Sequence, residues 1–210
     1  MSTPRRALIL VDVQQEYFEG PLEIQYPPHA DSLPKIVAAI DAATSAGIPV
    51  AVFQHASGDD APVFNPTMQG FQLHPEVAQR QSLDWKAMTK QFGTVFAGTD
   101  LLEWLREHDV DTITLVGYMT NNCILASAAE AETHGLAAEV LSDATGAINI
   151  ANDAGFADAK TVHTTLMALL NSNFAAVATT DDWTHALGEG TALPKDNLPG
   201  SALRGAQMAG

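Results

Sequence analysis

A short apolar run near the N-terminus does most to restrict the fold of this chain. Residues 7–13, ALILVDV, are apolar at every position except Asp12. A run this short and this continuous is typical of a strand buried on both faces, as in a parallel sheet covered by helices. The run IPVAVF, residues 48–53, repeats the pattern after a segment at 31–46 that has helical periodicity and is followed by Gly47.

The alternation of strand and helix patterns continues to the C-terminal region. Further strands are predicted over 84–88, 112–116, 138–141 and 175–179, and helices over 99–108, 121–134, 156–170 and 181–187. This alternation predicts an α/β fold, three-layered and Rossmann-like, with a mostly parallel sheet and helices on both faces. We expect one domain over residues 1–187, and a C-terminal arm or flexible tail over 188–210, which is rich in Gly, Ala and Pro. Residues 54–82 lack a sustained period and predict a long loop, which in a compact domain is usually functional.

Composition excludes several classes of partner. The formal net charge of −15 argues against binding to nucleic acid or to anionic membranes, both of which favour a basic surface. The apolar run after MSTPRR resembles a secretory signal, but it is short and contains Asp12, so no targeting is expected. The single cysteine allows no intrachain disulfide, which suits a reducing cytoplasm. We therefore expect a cytoplasmic protein that acts on a small molecule.

Three reactive side chains fall where predicted strands end. Asp12 closes the first strand, Lys90 follows the weak strand at 84–88, and Cys123 follows the strand at 112–116. In an open α/β sheet, ligands bind at the carboxyl ends of the strands. The three side chains are therefore expected to converge on one site.

Cys123 is predicted to lie in the first turn of a helix capped by Thr120. The helix dipole and the free N–H groups of that turn favour a thiolate and could hold an oxyanion. The alternative is a buried structural cysteine, because free cysteine is often buried.

Asp12 and Lys90 are the expected partners of this thiol. Asp12 could accept the proton of the sulfur and hand it to a leaving amine, and the Lys90 ammonium would lower the pKa of the thiol. Alternatively, Asp12 is a helix cap or a structural hydrogen-bonding group, and Lys90 is a solvated surface lysine.

Three segments carry a resemblance to a known family. VDVQQEYF, TKQFGTVFAGTDLLEWL and LVGYMTNNCILASAAEAETHG occur in this order between about Ala7 and about Asp182. Together they resemble the isochorismatase-like cysteine hydrolase superfamily, in its metal-free branch of unassigned substrate, which is related to nicotinamidases and N-carbamoylsarcosine amidohydrolases. The G-x-x-T-x-x-C motif that opens a helix is the most specific of the three.

The resemblance assigns roles to the three residues. It implies that Cys123 is the nucleophile, Asp12 the general base and then acid, and Lys90 their electrostatic partner. It also implies a cis peptide bond at Tyr118–Met119, with the N–H groups of Met119 and Cys123 forming an oxyanion hole. No cofactor is implied.

Further side chains are candidates for the pocket. They are Gln14, Tyr17, Phe18, His55, His74 and Phe92. Gln14 matches the glutamine of the family's D-x-Q motif, which often orients the site. Core packing is an alternative for the three aromatic residues, solvation is one for His55, and capping of a turn is one for His74. Nicotinamidases carry D-x-H after the second strand and bind a zinc-type metal there, but VFQHASGDD keeps His55 without the carboxylate, so no metal is expected.

The nucleophile favours hydrolysis of a C–N bond, because family members that split isochorismate characteristically lack the cysteine. Two alternatives stay open: hydrolysis of an ester or ether-linked metabolite, and a non-catalytic homologue that binds a small molecule or senses redox state. Relatives commonly form dimers or larger rings, so a homo-oligomer is expected. The sequence does not identify the substrate.

Overall fold

Eight strands lie within residues 3–209, the part of the chain described by the computed structural model. They are β1 (Arg6–Val11), β2 (Val50–His55), β3 (Lys86–Lys90), β4 (Thr112–Tyr118), β5 (Ala137–Gly146), β6 (Ile150–Asn152), β7 (Gly155–Ala157) and β8 (Ala176–Ala178). Six of them form one sheet in the order β3-β2-β1-β4-β5-β8, and every neighbouring pair is parallel. The predicted parallel α/β sheet is confirmed.

Helices cover both faces of this sheet, as predicted. They are α1 (His29–Ala46), α2 (Pro75–Ala78), α3 (Leu101–Glu107), α4 (Leu125–Ala131), α5 (Ala159–Leu169), α6 (Thr180–Glu189) and α7 (Leu198–Ala209). Residues of α1 and α6 share one apolar cluster, and residues of α3 and α4 share the other. No helix within residues 3–209 is both long enough and apolar enough to cross a membrane.

The central strand shows why its sequence is continuously apolar. Ile9 and Val11 point into the cluster formed with α3 and α4, whereas Leu8 and Leu10 point into the cluster formed with α1 and α6. Both faces of β1 are thus removed from water, so no position in it is left for a polar side chain to reach solvent.

Some predicted boundaries were wrong for local reasons. The predicted helix at 156–170 begins instead at Ala159, because Asp158 caps it with a 2.9 Å bond from the Thr161 N–H. Phe156 belongs to β7, which pairs antiparallel with β6 in a hairpin. The predicted loop at 54–82 contains the end of β2 and the short helix α2. The region predicted as an arm carries α7.

A buried polar network lies near the amino ends of the strands, away from the site that the sequence predicts. Glu139 accepts three hydrogen bonds from the Arg6 guanidinium, at 2.8, 2.9 and 3.1 Å, and one of 2.8 Å from Thr114 Oγ1. Trp183 Nε1 donates to the same carboxylate at 3.1 Å. The Arg6 and Glu139 side chains are 1% and 4% exposed, so each charge depends on the other for compensation.

We expect Arg6→Met to destabilise the fold by about 3–5 kcal/mol, because it leaves the Glu139 carboxylate buried without a cation. Urea unfolding of the single variant and of Arg6→Met/Glu139→Gln measures this. The double variant should recover about 1 kcal/mol or more, since its buried group is neutral. A loss below about 1 kcal/mol for the single variant would contradict the assignment.

Candidate active site

Asp12 lies immediately after β1 and is completely buried. Its φ of 50° is in the left-handed region, which is unusual for a residue other than glycine and turns the chain at the end of the strand. Its N–H still donates to the carbonyl of Phe53 at 3.1 Å, so the turn remains attached to β2. The carboxylate therefore meets the carboxyl edge of the sheet rather than its core.

Lys90 is the last residue of β3 and crosses β2 to reach this carboxylate. Its side chain is buried, and its Nζ lies 2.6 Å from Asp12 Oδ2. The ammonium also lies 3.2 Å from Cys123 Sγ and donates to the Phe92 carbonyl at 3.1 Å. A buried ammonium with these contacts is not the solvated surface lysine of the alternative interpretation.

Cys123 reaches the same point from β4. Gly117 near the end of this strand has a φ of 104°, and a Cβ there would lie 2.1 Å from the carbonyl oxygen of Val11. Only glycine allows β4 to approach β1 so closely, which explains the first position of the G-x-x-T-x-x-C motif. The three predicted residues Asp12, Lys90 and Cys123 are thus brought together.

The turn that carries Cys123 differs from the predicted helix start. Thr120–Ile124 form a wide π-type turn before α4. Thr120 does not cap it: its hydroxyl lies 3.0 Å from Thr145 Oγ1 and 3.1 Å from His163 Nδ1, and all three side chains are buried. His163, on α5, was not singled out by the sequence, because its role depends on a contact between distant segments.

Burial controls the protonation of Asp12 and Cys123. It raises the pKa of Asp12, although the Lys90 ammonium opposes the change. Burial, followed by the charge of Asp12, raises the pKa of the Cys123 thiol to about 12, again against the effect of Lys90. The expectation that the helix start favours a thiolate is therefore wrong for the resting site. The thiol keeps its proton, and the neighbouring Asp12 carboxylate, whose charge acts on the thiol, is placed to accept that proton.

The peptide bond Tyr118–Met119 is cis, as the resemblance implies. Within residues 3–209, the Met119 N–H donates to no acceptor. Met119 itself stands directly before the turn that holds Cys123. Its N–H is thus free to bind an added oxygen.

Gln14, which follows β1, forms hydrogen bonds that hold the end of β2 in place beside the site. Its Oε1 accepts from the His55 N–H at 2.7 Å, and its Nε2 donates to the His55 carbonyl at 3.1 Å. The same Nε2 donates to the carbonyl of Phe71 at 2.8 Å, which ties the 54–82 region to β2. Gln14 is fully buried, so it orients the site without presenting its amide to a ligand.

The aromatic candidates divide into an aromatic cluster, to which Tyr17 and Phe18 belong, and the exposed Phe92. Tyr17 is buried and packs against Tyr118, with ring centroids 5.6 Å apart, and against Phe64 at 5.3 Å. Phe18 packs against Tyr118 at 5.7 Å, whereas Phe92 is 57% exposed and contributes its carbonyl to Lys90. Phe64 was missed by the sequence analysis, and its φ of 52° is rare for so bulky a residue.

The two histidine candidates differ in position. His55, at the end of β2, places Nδ1 3.3 Å from Lys90 Nζ. His74 caps α2 through a 3.2 Å bond from the Glu76 N–H to its Nδ1, and its ring packs at a tilt against Phe18, with centroids 4.3 Å apart. His74 is therefore a helix cap that also contacts the aromatic cluster through Phe18.

The comparison with known proteins decides the family. The family model described as the isochorismatase domain matches residues 6–182. The chain belongs to the isochorismatase family. It is accordingly a hydrolase of that family, and the site described above lies within the matched region.

Other isochorismatase-family proteins resemble this one over most of its length. A candidate isochorismatase from Burkholderia xenovorans LB400 has a crystal structure with a TM-score of 0.95 and 42% identity, covering 100% of both chains. The isochorismatase family protein YddQ of Bacillus subtilis is 29% identical over 83% of this chain and 96% of its own. The nicotinamidase/pyrazinamidase of Mycobacterium tuberculosis is 30% identical over 69% of this chain and 88% of its own.

The side chains near His55 do not fit a metal site of the nicotinamidase type. Its Nδ1 faces the Lys90 ammonium, a cation that repels a metal ion, and His74 Nδ1 is engaged in capping α2. Among the described residues 3–209, no group of three or more His, Cys, Asp or Glu side chains is arranged to hold a metal ion.

Proposed function

We propose that this isochorismatase-family hydrolase cleaves an amide-type C–N bond of a small molecule through a thioester on Cys123. The observation that carries the proposal is the buried contact of three groups. Lys90 Nζ lies 2.6 Å from Asp12 Oδ2 and 3.2 Å from Cys123 Sγ. A thiol, a carboxylate and an ammonium in contact are the groups that nucleophilic acyl transfer requires.

The first half of the reaction forms the thioester. Asp12 takes the thiol proton as the sulfur attacks the carbonyl carbon, and Lys90 stabilises the negative charge during the transfer. The N–H groups of Met119 and Cys123 then bind the oxyanion of the tetrahedral intermediate. Asp12 returns its proton to the leaving nitrogen, the C–N bond breaks, and ammonia or an amine departs.

The second half regenerates the thiol. Asp12, ionised again, takes a proton from a water molecule that attacks the thioester carbon. The C–S bond breaks, the carboxylic acid leaves, and the proton on Asp12 returns to the sulfur. The sum is one amide and one water converted to one acid and one amine.

The aromatic residues near Cys123 favour a small acyl group with a flat or apolar surface. Tyr17, Phe18, Phe64 and Tyr118 form a connected set of aromatic rings, and Tyr17 lies close enough to Cys123 and Asp12 for their charges to raise its pKa. Aromatic side chains bind planar groups by stacking and by edge contacts. The similarity to the nicotinamidase/pyrazinamidase of Mycobacterium tuberculosis supports amides of this kind as the first to test.

A panel of primary amides and ureas, each with its matching ester, tests the reaction class. We expect ammonia release from at least one amide or urea, detected by a coupled assay. Amides with aromatic or small apolar acyl groups should be hydrolysed fastest. The panel also includes a vinyl ether. Turnover of the esters or of the vinyl ether with no ammonia from any amide would contradict the proposal.

A further inference from the structure

Four acceptors surround the Lys90 ammonium. They are Asp12 Oδ2 at 2.6 Å, the Phe92 carbonyl at 3.1 Å, Cys123 Sγ at 3.2 Å and His55 Nδ1 at 3.3 Å. An ammonium has only three N–H donors. The contacts to Phe92, Cys123 and His55 have hydrogen-bond geometry, and the shortest contact is the ion pair with Asp12. Whenever the Asp12 carboxylate takes one N–H, the sulfur and the imidazole, the two longest contacts, compete for another.

The imidazole of His55 is held ready to accept. Gln14 forms hydrogen bonds with both the N–H and the carbonyl of His55, and the Phe64 ring packs edge-on against the imidazole at 5.1 Å. Burial, and then the nearby Lys90 charge, lower the pKa of His55, which favours the neutral ring. Because Nδ1 faces an ammonium, the ring proton of the neutral form lies on Nε2.

The outcome of the competition depends on the state of the sulfur. A protonated thiol is a weak acceptor, so the imidazole nitrogen takes the shared N–H while the site is at rest. A thiolate is an anion and a far stronger acceptor of a charged donor. The preference therefore reverses when Cys123 loses its proton.

We propose that His55 is a positioning residue that accepts a Lys90 N–H in the resting site and yields it to the Cys123 sulfur as the thiolate forms. The inference rests on the proposed function, in which that thiolate attacks the substrate. In this step the thiol proton passes to Asp12, and the Lys90 N–H turns from Nδ1 to Sγ. No charge enters or leaves the group, and His55 keeps its ring proton throughout.

The proposal predicts the direction in which the pKa of Cys123 changes when the His55 acceptor is removed. His55 stabilises the resting state more than the thiolate state, so removing its acceptor should lower the pKa of Cys123. We expect a decrease of about one unit for His55→Leu, the size of one hydrogen bond to a charged group. The fraction of Cys123 present as thiolate then rises about tenfold, while the intrinsic nucleophilicity of each thiolate falls about threefold. The rate of alkylation should therefore increase about threefold.

Alkylation by iodoacetamide, followed by intact mass, measures this on the full chain. Cys123 is the only cysteine in the sequence, and a Cys123→Ser protein gives the background. His55→Asn places its Oδ1 near the position of Nδ1 and should keep the wild-type rate. His55→Gln carries its acceptor one bond further out and should follow His55→Leu. The titratable groups that face the thiol, Asp12, Lys90 and Tyr17, are retained in each of these His55 variants.

Two results would overturn the proposal: a rate for His55→Leu that equals or falls below wild type, and equal rates for His55→Asn and His55→Gln. Should His55→Leu fail to fold, as judged by circular dichroism, the Asn and Gln pair alone decides. The alkylation assay needs no substrate, so a negative result for His55 can be told apart from a failure of the proposed function in the amide panel. An amide-active protein with unaltered alkylation in every His55 variant would exclude the role of His55 and retain the proposed function.

Discussion

Cys123→Ala should lose turnover of any amide that the wild-type protein hydrolyses, by about 10⁴-fold or more, while the fold survives. The sulfur lies 3.2 Å from Lys90 Nζ and next to Asp12, and without it no thioester can form. Alanine removes a single heavy atom from a side chain that is only 2% exposed, so the cost in unfolding free energy should be about 1 kcal/mol. Ammonia release and thermal unfolding, measured on the same preparation, separate the two effects.

A matched control keeps this comparison specific. Ser127 lies one turn further along, is buried and donates to the Cys123 carbonyl at 2.6 Å. Ser127→Ala perturbs the same segment without touching the sulfur, and it should keep most of the activity. Robust hydrolysis by Cys123→Ala would overturn the mechanism, whatever the control shows.

Asp12→Asn should lower kcat by about 10³-fold with little change in KM. The amide has the shape of the carboxylate but cannot take the thiol proton, whose pKa of about 12 makes spontaneous loss rare at neutral pH. Asp12 is not part of the aromatic cluster proposed to bind the acyl group, so ground-state binding of the substrate should persist. Steady-state kinetics on an active amide measures both constants.

The exposed Asp60→Asn serves as the control for this change of charge, because Asp60 lies on the outer surface of the 54–82 region. It should have wild-type kinetics. If Asp12→Asn raised KM and left kcat unchanged, Asp12 would be a binding group and the assigned proton transfer would be wrong.

The sequence was most informative where local pattern and chain topology act together. Asp12 interrupts an apolar run, and Cys123 follows another, so the parallel order of β1 and β4 was enough to bring them to one edge. Lys90 was harder, since β3 is an edge strand with alternating burial, yet its position after a strand still indicated the same edge. The cis bond at Tyr118–Met119 came from the family resemblance and not from residue patterns.

Contacts between segments distant in the chain were out of reach of such patterns. Nothing local to Phe64 predicts that it packs on Tyr17, and nothing local to His163 predicts its contact with Thr120. The high pKa of Cys123 likewise depends on burial by several segments. This burial outweighs the pKa-lowering effect of the helix start that the sequence predicted. The role of Gln14 is a further case, because its amide bonds two segments that lie 41 and 57 residues away.

The central claim is that the acyl group of the substrate passes through Cys123. The most direct measurement mixes the enzyme with a stoichiometric amount of an active amide, quenches with acid at successive times and maps the peptides by mass spectrometry. The account predicts that the peptide containing Cys123 gains the mass of the acyl group as ammonia appears, and that added hydroxylamine diverts this group to a hydroxamate. Ammonia release with the acyl group on a different residue, or with an unmodified Cys123 and no hydroxamate, would contradict it.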